Sequence, residues 1–157
     1  MKKTILLFFS LIFILCTSCA PKYTTDVPID DLSEIAMLSL DSKTAFVQAE
    51  KEFLDGYFQT PDSVFARRIY YASDGNNLDE FGIFYTTDPE RLEELLEDYL
   101  DDCLEENESF YNSYIPEQTP KLRDAEVERY GNCVVYAILS KNDEKSLFRA
   151  IEETLRV

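Results

Sequence analysis

The stretch NCVVYAILSK, residues 132–141, constrains the fold most. It is nearly all apolar and rich in β-formers, so it reads as a strand. A strand with so little polar character belongs inside a sheet rather than at its edge. Other segments must then supply its neighbours. Ala125 to Tyr130 reads as one, joined to it around Gly131. Val64 to Ala72, VFARRIYYA, and Leu78 to Thr86, LDEFGIFYT, read as a second pair. SDGNN between them is a hairpin signal.

The helices show in the apolar spacing. Asp88-Pro89 opens a long one, with Asp at the cap and Pro in the first turn. Leu92, Leu95, Leu96, Tyr99, Leu100, Cys103 and Leu104 form its buried stripe. Glu94, Glu97, Asp98, Asp101, Asp102 and Glu105 fall largely opposite. They read as a solvated face, with a dock for a basic partner or cations as the functional alternative. Ile29 to Leu40 suits a short helix with Asp30 and Asp31 in its first turn. Asp41 or Ser42 is expected to cap a second, with Phe46, Ala49, Phe53, Leu54 and Tyr57 on one face. Gly56 and Pro61 mark its end. Asn142 or Asp143 is expected to cap a last helix that turns Leu147, Phe148, Ile151 and Leu155 inward. Phe110 to Pro120, with two prolines, reads as irregular. The predicted order is α-α-β-β-α-β-β-α. That is a single-domain α+β fold, an antiparallel sheet of about four strands with helices packed on one face.

The chain opens on Met1, Lys2 and Lys3, followed by the apolar run ILLFFSLIFIL from Ile5 to Leu15. This is the layout of a secretory signal. A transmembrane helix needs about 20 apolar residues, more than the run provides. Thr17 and Ser18 then precede Cys19, an arrangement that resembles the lipobox of bacterial lipoproteins. The resemblance implies cleavage before Cys19 and a diacylglycerol on its sulfur. Cys16 departs from it, standing where that family usually has Leu. An ordinary signal peptide, or a zinc pair formed by Cys16 and Cys19, are the alternatives. The metal reading lacks further ligands, since the chain has no His and Cys103 and Cys133 stand far off. The expected layout is a signal peptide over residues 1–18, a tether over 19–28 and one domain over 29–157. Localisation is expected at the extracytoplasmic face of the cell membrane. Ten tether residues span at most about 33–36 Å, so the domain stays near its membrane.

Removing two of the 15 basic residues with the leader leaves 13 against 31 acidic, a net charge of −18. Phosphate contacts need Lys and Arg, so no nucleic-acid partner is expected. An anionic bilayer surface repels such a domain, and the lipid has to hold it there.

The absence of His removes the usual general base and the Ser-His and Cys-His nucleophile systems. Four glycines form no phosphate loop. No cofactor or metal is expected. Asp74 to Glu80 offers hard oxygen ligands but lacks the full calcium-loop pattern, and reads first as a hairpin turn. Arg67 and Arg68 could meet a carboxylate ligand, but in so acidic a chain they read first as local charge balance. Tyr111, Tyr114, Pro116 and Glu117 form the best candidate interaction patch, since tyrosine is favoured at interfaces. The alternative is a packed connection whose rings fill the gap between helix and sheet. Cys103 and Cys133 each sit where a helix packs on the sheet, and a disulfide between them stays open; two separate buried thiols are the favoured reading.

From Tyr111 the chain reads YNSYIPEQTPKLRDAEVERYGNCVVYAILSKND. The helix end, the Tyr-x-Pro-Glu turn at Tyr114, Pro116 and Glu117, the strand ending at Gly131-Asn132 and the apolar strand resemble a family of small lipoproteins from Gram-positive gut bacteria. That family is domain-of-unknown-function 4358 (DUF4358), and the likeness extends from about residue 29 onward. It implies no catalytic residue, because the family has no assigned activity. The favoured function is a non-enzymatic binding or accessory module at the cell envelope, meeting an envelope protein or ligand. The alternative is a carboxylate-dependent hydrolase of cell-envelope material. An exposed Tyr/Pro patch favours the first; a cleft with two converging, perturbed carboxylates favours the second.

Overall fold

The computed structural model describes residues 21–50 and 59–157. Its centre is the apolar strand expected from the sequence, β5 (Cys133–Ile138), in which all six residues are buried. On one side it pairs with β3 (Glu80–Thr86), on the other with β4 (Glu126–Tyr130). Beyond β3 lie β2 (Val64–Ala72) and β1 (Phe46–Gln48). The sheet order is β1-β2-β3-β5-β4, and every pairing is antiparallel. Gly131 takes the left-handed position of the two-residue loop between β4 and β5, with φ +60°.

Among the described residues four helices accompany the sheet: α1 (Ile29–Leu38), α2 (Pro89–Tyr114), α3 (Thr119–Arg123) and α4 (Lys141–Leu155). The fold is α+β, as expected, but the helices cover both faces rather than one. Leu32 and Ala36 of α1, with Leu147, Ile151 and Leu155 of α4, pack over Phe81, Ile83, Val135 and Ala137. Leu92, Leu96 and Leu100 of α2, with Leu122 of α3, pack over Ile69, Phe84, Val134 and Ile138. The physical reason lies in β3 and β5. Both are buried at almost every position, so each of their faces needs an apolar cover.

The segment after Leu40 also departs from expectation. Asp41 and Ser42 cap no helix of their own; their backbone N–H groups donate to Asp143 Oδ1 at 2.7 and 3.2 Å. Phe46 begins β1, an edge strand paired with β2. Phe46 packs with the α1/α4 layer and Ala49 with the α2 layer. A spacing of three joins two residues on a helix face but parts them across a strand. Phe53, Leu54 and Tyr57 lie outside the described residues.

Asp88 caps α2 as expected, its carboxylate accepting from the Arg91 N–H. The helix then runs to Tyr114, well into the stretch expected to be irregular. The chain has no breaker there until Pro116, and the residue before a proline leaves the α region: Ile115 has φ −142°. Ser140, not Asn142 or Asp143, caps α4, and its Oγ accepts from the Asp143 N–H.

The first described residues are docked on the domain. Tyr23 bridges to Arg156, and its ring meets Tyr130 edge-on at 5.6 Å. The Thr24 N–H donates to Leu155 O at 2.9 Å, and the Val157 N–H to Lys22 O at 3.0 Å. Among the described residues no helix is long and apolar enough to cross a membrane. The expected leader and Cys19 lie outside the described residues.

Candidate functional site

The residues expected as an interaction patch lie at and just beyond the C-terminal end of α2. Tyr114 is 74% exposed, and Pro116 and Glu117 lie on the surface beside it. Tyr111 departs from the group: it is half-buried and packs with the α2 layer. Its place is taken by Phe110, 53% exposed, whose ring centroid lies 4.8 Å from that of Tyr114. The i, i+4 spacing of Phe110 and Tyr114 was the signal for this pair, and it needs the helix to continue past Leu104. The turn that follows is fixed. The Ile115 N–H donates to Tyr111 O, the Gln118 N–H to Ile115 O, and Gln118 Oε1 accepts from the Leu78 N–H. Two neighbouring rings are therefore presented from a rigid helix end.

Against the middle of α2 lies a buried polar hub. Glu80 Oε1 accepts from Tyr99 Oη at 2.9 Å and from Tyr136 Oη at 2.6 Å, linking β3, α2 and β5. Burial pushes the Glu80 carboxyl up, while the two phenol hydrogen bonds pull it part of the way back. Burial likewise raises Tyr136 and Tyr99, with the Glu80 charge adding to both. Cys103 lies one helical turn beyond Tyr99, and burial raises its thiol. Cys133 packs in the α1/α4 layer, on the other face of the sheet, and is raised by burial as well. The two thiols are thus separated by the sheet, and both are free. The hub ties three elements together.

The Asp74 to Glu80 loop is a turn. The Asn77 N–H donates to Asp74 O, and the Asn76 N–H to Asp74 Oδ1. Asp79, 3% exposed, is enclosed by its own partners: Lys121 Nζ at 2.5 Å, Thr44 Oγ1 at 2.6 Å and Asn77 Nδ2 at 3.1 Å. The oxygens that suggested a cation loop instead join the hairpin to α3 and to the segment leading into β1. Among the described residues, no three Asp, Glu, Cys or His side chains are grouped to hold a metal. Arg68 pairs with Asp30 of α1 at 2.6 Å, the expected local balance. Glu94, Glu97, Asp98, Asp101, Asp102 and Glu105 are all exposed, the solvated face of α2.

A second feature had no forecast. A groove runs between the end strand β4 and α4, lined by Glu126, Glu128, Glu144 and Glu152 among others. Lys141 Nζ sits between Glu126 Oε1 and Glu144 Oε1, at 2.6 and 2.7 Å. Burial raises the Glu144 carboxyl, and Lys141 lowers it in part. Burial also raises Glu128, reinforced by the carboxylates of Glu126, Glu152 and Glu93. The alternation of EVERY was the available sign, because it places Glu126 and Glu128 on one face of the strand.

No curated protein and no solved structure matches the chain. A family model does match, over residues 39–139: the domain of unknown function DUF4358. The match spans β1 through β5, and with them the rigid helix end, the buried hub and the strand side of the groove. On that match, the chain belongs to the DUF4358 family.

Proposed function

We propose that the protein is a non-enzymatic binding or accessory module, held at the extracytoplasmic face of the cell membrane by a lipid on Cys19. One observation carries the binding part: the neighbouring, exposed Phe110 and Tyr114 rings at a fixed helix end. Large aromatic rings on a rigid support bury much area at little entropic cost, which suits a contact with an envelope protein or ligand. The short apolar run ending at Cys19 supports the anchor.

Crosslinking of the intact protein in its own membranes tests the binding part, comparing wild type with a Phe110→Ser/Tyr114→Ser variant. The reading predicts adducts that the variant loses at unchanged thermal stability. An unchanged adduct pattern would overturn it. Intact mass of membrane-extracted protein tests the anchor: loss of residues 1–18 and gain of a diacylglycerol are expected, and a Met1 terminus counts against it.

The raised carboxyls of Glu128 and Glu144 favour a second reading, a carboxylate-dependent hydrolase of cell-envelope material. Turnover of envelope polymers that is lost in Glu128→Gln would support it. Two facts weigh the other way. Glu144 is tied to Lys141, and the charges acting on Glu128 are Glu126, Glu152 and Glu93 rather than Glu144.

A further inference from the structure

Strand β4 ends the sheet, and among the described strands its one neighbour is β5. Its residues are mostly exposed. An end strand offers unpaired backbone donors and acceptors along its free side, ready to take another strand. Here that edge lies between two grooves. On the α4 side run Glu128, Glu144 and Tyr23. On the α2 side run Glu97, Asp101, Leu100 and Val127. An added strand points successive side chains to opposite faces, so it would fill both grooves in turn.

The charges say which strand. Among the described residues Glu128, Glu97 and Asp101 have no cationic partner. Glu144 adds an independent sign. It is 1% exposed and lines the groove, yet its Oε2 meets no hydrogen-bond donor. Leaving a buried carboxylate oxygen without a donor is costly, although Lys141 already pairs with the other oxygen of this group. Four cations line the same groove: Lys141, held by Glu126 and Glu144, Arg129, held by Glu90 and Glu93, and Lys145 and Arg149 of α4. The α2-side groove, lined by Glu97, Asp101, Glu126 and Glu128, therefore carries the net negative charge. Burial raises the Glu128 carboxyl, with the carboxylates of Glu126, Glu152 and Glu93 adding to it.

We propose that the β4 edge binds an extended basic peptide, which adds as a sixth strand and seats its Lys or Arg side chains among the carboxylates of the two flanking grooves. This surface is separate from the Phe110/Tyr114 patch. A second copy of the chain is disfavoured as the occupant. Antiparallel self-pairing of EVERY about its middle sets Glu128 opposite Glu128. Centring on Val127 sets Glu126 opposite Glu128, and centring on Arg129 sets Arg129 opposite itself. Each register places like charges across the new pair.

The test uses the full chain in a zwitterionic detergent, with two probes of equal charge. One is octa-arginine; the other is octa-arginine N-methylated at every residue, which removes the amide donors from both edges of the strand. Octa-arginine is expected to slow hydrogen exchange of the β4 amides and to bind at least about tenfold more tightly than the methylated probe. Glu128→Gln is expected to weaken binding about tenfold, the scale of one charge-assisted contact. Asp98→Asn, the same charge change on the exposed side of α2, should leave binding nearly unchanged. Equal binding of the two probes, or equal loss in the two variants, would show diffuse attraction and overturn the proposal. Concentration-dependent protection of β4 without any peptide would assign the edge to a second copy, and would overturn it too.

Discussion

The ring of Tyr136 occupies the space that a side chain at position 82 would need: a Cβ on Gly82 would stand 2.3 Å from Tyr136 Cε1. Phe84 closes the same space from within the strand, at 2.8 Å. Both rings are buried, so neither has a free end to swing aside. Gly82→Ala should therefore overpack the α2 layer and cost about 3 kcal/mol. A drop in Tm of roughly 6–12 °C is the expected reading from a thermal melt. An alanine variant as stable as wild type would show that the layer yields more easily than its packing indicates.

Glu80 sets a pH dependence. Its folded pKa lies above the ordinary 4.5 because of burial, so between those two values the folded protein holds more protons than the unfolded chain. The stabilisation from the protonated carboxyl is complete below the lower value and is lost as pH rises through the higher one. Glu80→Gln keeps an acceptor for the two phenols and removes the charge. Urea unfolding at about pH 5 and about pH 7 should show a shallower fall of stability with pH in this variant. Glu80→Ala leaves the Tyr136 hydroxyl buried without its acceptor, and should cost about 1–3 kcal/mol at both values.

Lys121 and Asp79 form the most enclosed ion pair described, with side chains 18% and 4% exposed. Lys121→Met strands a buried carboxylate. The expected loss is about 3 kcal/mol, at the low end for a broken buried pair because Thr44 and Asn77 still donate. Adding Asp79→Asn removes the stranded charge and should recover more than half of the loss. Chemical denaturation of the two single variants and the double variant gives the coupling energy, and simple additivity would refute the account.

Cys103 and Cys133 lie on opposite faces of the sheet. Lipidated protein should show two reactive thiols after denaturation without reductant. In the native state both should react slowly, because burial raises each thiol and only the thiolate attacks. Half-buried Cys103 should lead. Two thiols appearing only after reduction would contradict the placement.

Much of this architecture was legible from periodicity. The α2 stripe, the Asp88-Pro89 start, the inward face of α4 and the interior position of β5 follow from local spacing and chemistry. What escaped depended on contacts distant in sequence. Helical spacing at Phe46 and Ala49 resembles a helix face until the pairing with β2 sets them on opposite sides. The two-sided cover of the sheet was implicit in β5, but periodicity marks which residues are apolar and not which helix reaches them. Glu80 meets partners 19 and 56 positions away, and nothing in its neighbourhood announces them. The surface position of Tyr114, Pro116 and Glu117 was legible because their proline turn is local, whereas Phe110 was missed because the helix outlasted its leucines.

The docking of Lys22 to Thr24 against the Leu155 to Val157 segment changes the mechanics of an anchored chain. With the lipid on Cys19, three residue steps separate the anchor from Lys22, and they reach only about 10–11 Å when fully stretched. The slack expected of a ten-residue tether would then be lost. The end of the molecule carrying Tyr23, Tyr130 and the last turn of α4 would ride against the headgroups, so the domain would stand in one posture rather than swing. A pull on the anchor would load the Tyr23 bridge and, through it, the rim of the β4 groove.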